Sequence, residues 1–358
     1  MSSSTLTTPL DSPGALPIAI TLGDACGIGP EIIVRAFASG EANDCVVYGD
    51  AAWLARTARA MRFAPQSGGP VIVELGALAE WRDAPKGAMP VLPVVQLPAD
   101  LPLGQVDARA GAAAFACIEA AANDALAGRV GAVVTAPIHK AALHAAGVEF
   151  PGHTEILQHI AGGAPVRMML ANAQLKTVLV TVHMALRQAI DAVTTDAVLQ
   201  TLRIAHQAAN AWGLARARIA VAGLNPHAGE DGLFGDEEAR IIAPAIAQAR
   251  REGIDASGPY PPDTVFMRAR HDPPAHPGAF DIVVAMYHDQ GLIPVKYLGV
   301  EQGVNVTLGL PFVRTSPDHG TAFDIAGKDQ ADPSSLIAAI RMARQLAAQS
   351  APALQPNA

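Results

Sequence analysis

The chain has 358 residues, enough for two lobes of roughly 150 residues each with a sizeable core. A hydrophobic fraction of 50% beside 16% charged residues excludes a disordered chain. The net charge of −8 excludes the basic face that nonspecific nucleic-acid binding needs, so an anionic ligand would have to be held by local cations.

No apolar run approaches the ~18–20 residues of a membrane span, so no membrane partner is expected. The opening MSSSTLTTPLDSPG lacks a basic region followed by an apolar core, which is not a signal peptide; residues 1–15 read as a disordered tail. Cys26, Cys45 and Cys117 show no paired spacing, and an odd count suits a reducing cytoplasm better than a disulfide framework.

In chain order, Pro17–Leu22 is a buried strand running into the Gly-rich turn Gly23–Glu31, where Pro30 and Glu31 suit the first turn of a helix. Strands follow at Cys45–Tyr48, Val71–Leu75 and Val91–Val95, the last two marked as edges or irregular by prolines. Residues 108–127 form an Ala-rich helix, Val130–Ala136 a strand, and a helix begins near His153-Thr154 and runs to about Ala161. Arg167–Asn172 and Leu175–Met184 read as strands. Thr194–Trp212 is helical with Thr195 or Asp196 as its cap, and Arg218–Leu224 is a strand. Asp236–Glu252 and Ser334–Gln349 are helical. The apolar run Ile282–Met286 is a strand that should deliver His288, Asp289 and Gln290 onto a loop, because Gly291 follows at once; His319–Ala322 reads as a helix start. This alternation gives an α/β protein with mostly parallel strands, whose site lies beyond their carboxyl ends.

Three histidines share that address. His183 follows KTVLVTV, His227 follows RIAVAGLNP and His288 follows DIVVAMY. A lone histidine at a strand end is more often a hydrogen-bonded structural residue, but three at equivalent positions point to a divalent metal with room for substrate. Spread over more than 100 residues, they form no local zinc motif. Lys296 and Arg314 lie in apolar, Gly-containing stretches, where Arg suits bidentate anion binding and Lys adds a point charge. Thr154 is either a simple helix cap or, with His153, part of a phosphate-accepting helix N-terminus. The turn at Gly23–Glu31 lacks both the GxGxxG order and a Walker lysine.

Taken together, GDACGIGPE, APIHKAAL, GHTE, VTVHMALR, GLNPHAGE, PPDTVF, MYHDQGLIPVKY and GVNVTLGLPFVRTSPDHGTAFDIAG resemble the 4-hydroxythreonine-4-phosphate dehydrogenase family, NAD-dependent enzymes of pyridoxal phosphate synthesis. The resemblance spans Pro17 to about Ala343. It implies His183, His227 and His288 as ligands of one divalent metal (Zn, Mg or Co), and His153, Thr154, Lys296, Asn305 and Arg314 as contacts to a small phosphorylated hydroxy-amino acid. His288, Asp289 and Lys296 would be catalytic, with Asp289 orienting a ligand or acting as base, or else serving a structural role. It also implies a homodimer with sites near the subunit interface. HGTAFDIAGK is similar to the segment beside the NAD adenosine in isocitrate and isopropylmalate dehydrogenases, which implies a two-lobed, non-Rossmann α/β fold with helices on both faces of its sheets. His319, Gly320, Thr321 and Ala322 would bind NAD or NADP.

The expected lobes are residues 16–140 with 300–358, carrying the cofactor segment, and 141–299, carrying the metal and substrate site. Two motifs depart from the commoner family forms GEPAGIGPE and GPVHK. Asp24 is shared with relatives acting on phosphorylated threonate-like acids or dihydrodiol dicarboxylates, whereas Val166–Asn172 resembles the biosynthetic branch. The expected activity is metal-assisted oxidation of 4-phosphooxy-L-threonine; the alternatives are a 4-phospho-threonate or -erythronate dehydrogenase, or a nicotinamide-independent, metal-dependent phosphosugar-binding or hydrolysing protein.

Overall fold

The computed structural model describes residues 15–63, 65–214, 216–299 and 302–350. The tail expected to be disordered lies, up to residue 14, outside the described residues. The chain parts into two compact units: residues up to Ile160 with His319–Arg344, and Ala161–Asp318 with the residues from Gln345.

In the first unit, strands β1 (Ile18–Thr21), β2 (Cys45–Gly49), β3 (Ile72–Glu74), β4 (Met89–Pro93) and β5 (Ala132–Thr135) stand in the order β3-β4-β2-β1-β5, all parallel. Central β1 is fully buried, as expected for an apolar run with helices on both faces. Helix α1 (Gly29–Ala38) starts with Pro30 and carries Glu31 in its first turn. Helices α2 (Ala51–Ala60) and α3 (Ala108–Leu126) are capped by Asp50, which accepts from the Trp53 N–H, and by Asp107, which accepts from the Arg109 N–H. Helices α4 (Lys140–Ala145) and α5 (His153–Ile160) complete the N-terminal part. The C-terminal helix Ser334–Ser350 is anchored on this unit by Arg344, whose guanidinium pairs with both oxygens of Asp44 at 2.6 Å each.

The second unit contains β6 (Arg167–Ala171), β7 (Lys176–Leu179), α6 (Leu186–Ala192), α7 (Thr195–Ala211), β8 (Ile219–Ala222), α8 (Ala243–Arg251), β9 (Ala256–Tyr260) and α9 (Pro262–Ala269). A small hairpin pairs β10 (His271–Asp272) with β11 (His276–Pro277), followed by β12 (Ile282–Ala285), α10 (His288–Tyr297), β13 (Val304–Leu308) and β14 (Val313–Pro317). The strand order is β14-β13-β6-β7-β12-β8-β9. The half from β7 to β9 is parallel, whereas β14, β13, β6 and β7 pair antiparallel. Leu179, Val283, Ala285, Phe266 and Leu292 pack in one core between this sheet and its helices. Burying each of the larger of these side chains, Leu179, Val283, Phe266 and Leu292, stabilises the fold by about 1.5–3 kcal/mol.

Several expectations are corrected. His288–Gln290 begin helix α10, not a loop. Gly291 is needed inside that helix because a Cβ there would stand 2.4 Å from Leu179 Cδ2. His319–Ala322 form irregular turns, with Ala322 in the left-handed region at φ 43°, and no helix begins before Ser334. Strand β7 stops at Leu179, leaving His183 and Met184 on a bend. The α7 cap is Thr194, which accepts from the Ala197 N–H at 3.1 Å. The compact units divide after Ile160 and after Asp318, with α4 packed on α3 in the first and β13 paired with β14 and β6 in the second.

Candidate functional site

In the second unit, β12 is flanked by β7 and β8 in parallel register, Val284 opposite both Val178 and Val221. Their carboxyl ends therefore leave the sheet on one edge, and each chain reaches a histidine within a few residues: His183, His227 and His288. The His183 and His288 rings stand 5.5 Å apart between centroids, close enough for nitrogens of both to face one ion. They border a cavity of about 260 Å³ together with Val182, Tyr287 and Asp289. His288 Nδ1 lies 2.7 Å from Asp289 Oδ1, a contact that orients the ring and leaves Nε2 for a ligand.

His227 is held differently. It opens a turn, 227–231, in which five successive residues have φ between 45° and 83°. Four of them are not glycine, and left-handed backbone costs such residues roughly 1–2 kcal/mol each. Buried Glu238 offsets that strain: its Oε1 accepts from the backbone N–H groups of Leu224 and Asn225, both at 2.7 Å, and its Oε2 from Asn225 Nδ2 at 3.0 Å. Gln290 couples the two strand ends, accepting from the Met286 N–H at 2.6 Å and donating to the Gly223 carbonyl at 2.7 Å. The His227 ring faces Phe234 at 6.1 Å. Among the described residues no three His, Cys, Asp or Glu side chains are gathered closely enough to hold a metal. The donor set at His183 and His288 fits a divalent ion as a two-imidazole platform, with His227 on the adjoining turn.

Lys296 lies in the last turn of α10 and forms a 2.7 Å ion pair with Asp318, whose side chain is only 10% exposed. Arg314 is 2% exposed on β14 and donates from Nη1 to Thr307 Oγ1 at 2.9 Å. Asn305 stands two residues from Thr307 on β13, hence on the same face of the β13–β14 pair as Arg314. Its Oδ1 is buried without a partner among the described residues, which suits a ligand contact.

In the first unit, His153 and Thr154 occupy the opening turn of α5 with Glu155 behind them, so Thr154 is not the cap. The turn after β1 backs onto the expected cofactor segment. Ile28 N–H donates to the Thr321 carbonyl at 3.0 Å, and a Cβ on Gly27 would stand 2.8 Å from that same oxygen. His319 Nδ1 lies 3.0 Å from the Gly320 carbonyl, while its Nε2 is buried and has no partner among the described residues. That orphaned nitrogen fits a polar cofactor. The sequence reading assigned no role to Asp24 or His139, which share this neighbourhood. Asp24 is fully buried; its Oδ1 accepts from the Cys26 N–H at 2.9 Å, and Oδ2 has no partner among the described residues. Burial raises the Asp24 pKa to about 6, against the Cys26 hydrogen bond and the His139 charge. His139 stacks on Phe323 at 4.6 Å. A carboxylate inside a Gly-rich turn was the available signal. Burial lifts the Cys26 thiol to about 12, so it is no thiolate nucleophile.

A family model described as pyridoxal phosphate biosynthetic protein PdxA matches residues 41–343. A 4-hydroxythreonine-4-phosphate dehydrogenase of Beijerinckia indica is 52% identical over 332 residues, covering 92% of this chain and 95% of that one. A D-threonate 4-phosphate dehydrogenase of Salmonella typhimurium is 48% identical over 337 residues, covering 92% and 98%. The crystal structure of a 4-hydroxythreonine-4-phosphate dehydrogenase from Klebsiella pneumoniae superposes with a TM-score of 0.84 at 44% identity, covering 93% and 98%.

Proposed function

The chain belongs to the PdxA family of pyridoxal phosphate biosynthetic proteins, and from that premise we propose that it oxidises 4-phosphooxy-L-threonine with NAD⁺ or NADP⁺. The product, 2-amino-3-oxo-4-phosphooxybutanoate, is a β-keto acid that loses CO₂ to give 3-amino-2-oxopropyl phosphate. The observation that carries this reading is the meeting of His183 and His288 at the carboxyl edge of β7 and β12. When bound there, a divalent metal (Zn, Mg or Co) supplies Lewis acidity that lowers a hydroxyl pKa and stabilises enolate charge.

The chain's own residues do the rest. Asp289 orients the His288 ring through the 2.7 Å contact. Lys296, Asn305 and Arg314 offset and position the anionic groups of the substrate, and the 2.7 Å ion pair with Asp318 holds Lys296 in place. His153 and Thr154 present the positive end of α5 to phosphate. His319–Ala322 hold the adenosine side of the cofactor. The reading includes a homodimer in the cytoplasm, which sedimentation and fractionation would test.

A second reading, oxidation of a 4-phosphorylated threonate or erythronate, is favoured by the 48% identity to an enzyme named for D-threonate 4-phosphate. Steady-state reduction of NAD⁺ and NADP⁺ with each phosphorylated acid, with and without chelator, separates the two. The first reading expects kcat/KM at least about tenfold higher for the amino acid substrate and loss of activity on metal removal. Equal or reversed preference would favour the second. Phosphate release with no rise at 340 nm would overturn both.

A further inference from the structure

Asp24 caps only the Cys26 N–H, a task that needs one carboxylate oxygen; the other is buried and has no protein partner among the described residues. The Asp24 N–H donates to the Pro137 carbonyl at 2.9 Å, which ties the turn to the segment that carries His139 two residues later. The Nδ1 of His139 is also buried without a protein partner, and the ring is fixed by its near-parallel stack on Phe323, 13° between planes. Phe323 directly follows the residues expected to hold the cofactor. Two orphaned polar atoms are thus held in one neighbourhood of the first unit by stacking and backbone bonds, and one bears negative charge when ionised. Such a site repels phosphate. It suits a planar neutral group that offers both a donor and an acceptor.

We propose that Asp24 Oδ2 and His139 Nδ1 form a subsite for the primary carboxamide of the nicotinamide ring, the carboxylate accepting from the amide NH₂ and the imidazole N–H donating to the amide oxygen. This rests on the reading that the chain uses a nicotinamide dinucleotide. Asp24 and His139 then select the cofactor's reactive end.

Equilibrium titration tests the assignment without turnover. Wild type, Asp24→Ala, Asp24→Asn and His139→Ala are each titrated with NAD⁺, with its 3-acetylpyridine analogue, in which a methyl replaces the amide NH₂, and with ADP-ribose, which lacks the ring. Wild type should prefer NAD⁺ over the analogue by about tenfold or more, the size expected for a hydrogen bond to a charged group. Asp24→Ala should erase that preference by weakening NAD⁺ alone, with ADP-ribose affinity unchanged as the control for folding. Asp24→Asn keeps an acceptor and should retain most of the preference, and His139→Ala should weaken NAD⁺ and the analogue together. An unchanged preference in Asp24→Ala, or an equal loss for all three ligands, would overturn the subsite. So would a change confined to the KM of an amino-bearing substrate. Failure of wild type to bind any of the three would instead overturn the nicotinamide reading itself.

Discussion

The two units prepare for ligands in opposite ways. In the first, backbone packs closely on backbone, as where Gly27 has no room for a Cβ beside Thr321, and single polar atoms such as Asp24 Oδ2 and His319 Nε2 are left inside without partners among the described residues. In the second, side chains reach past the sheet edge, and a supporting layer of Gln290, Glu238 and Asp289 holds the strand ends and rings that carry them. A long, flexible dinucleotide is gripped by close approach of backbone, whereas a metal or a small acid needs a few directed side chains.

That contrast can be broken by experiment. The largest expected effects are in the second unit: His288→Ala and His227→Ala should each lower metal-dependent turnover at least about a hundredfold, whereas His319→Ala should act mainly through cofactor affinity. Full activity of His227→Ala without metal would remove that residue from the ligand set. Next, Glu238→Ala should cost about 3 kcal/mol by leaving the Leu224 and Asn225 N–H groups unsatisfied beside a strained turn, read as a fall in the denaturant midpoint.

In the first unit, Asp24→Asn should instead stabilise the fold. The folded-state pKa of Asp24, about 6, lies above its ordinary value of 3.8. The penalty for ionising it is therefore absent below pH 4, grows as pH rises, and is complete above pH 6. The variant should gain up to about 3 kcal/mol at pH 8 and almost nothing at pH 4, checked by melts across that range. Equal stabilisation at both pH values would show that the buried charge is not its source. The smallest effect should come from Arg240→Ala, which removes an ion pair exposed on both sides and should leave the melting temperature and its salt dependence unchanged.

Much of this was legible in the amino-acid order. Runs such as IAIT and IVVA declared buried parallel strands, Pro30 marked a helix start, and each of the three histidines advertised itself by following an apolar β-branched run. Local residues determine backbone preference and burial, so those features needed no tertiary information. The loop expected at His288 is instead the first turn of a helix, and Gly291 serves there as a residue without a Cβ that lets the helix lie close to Leu179, more than 100 residues earlier, rather than as a turn former.

Only the tertiary structure decided that β12 lies between β7 and β8, and hence that His183 and His288 meet. It alone showed that Glu238 supports the left-handed turn of His227, and that Asp24 keeps a buried oxygen unpartnered. The physical reason is the same in each case. Adjacency between strands and the satisfaction of a buried polar atom depend on partners far along the chain, and no local propensity encodes them.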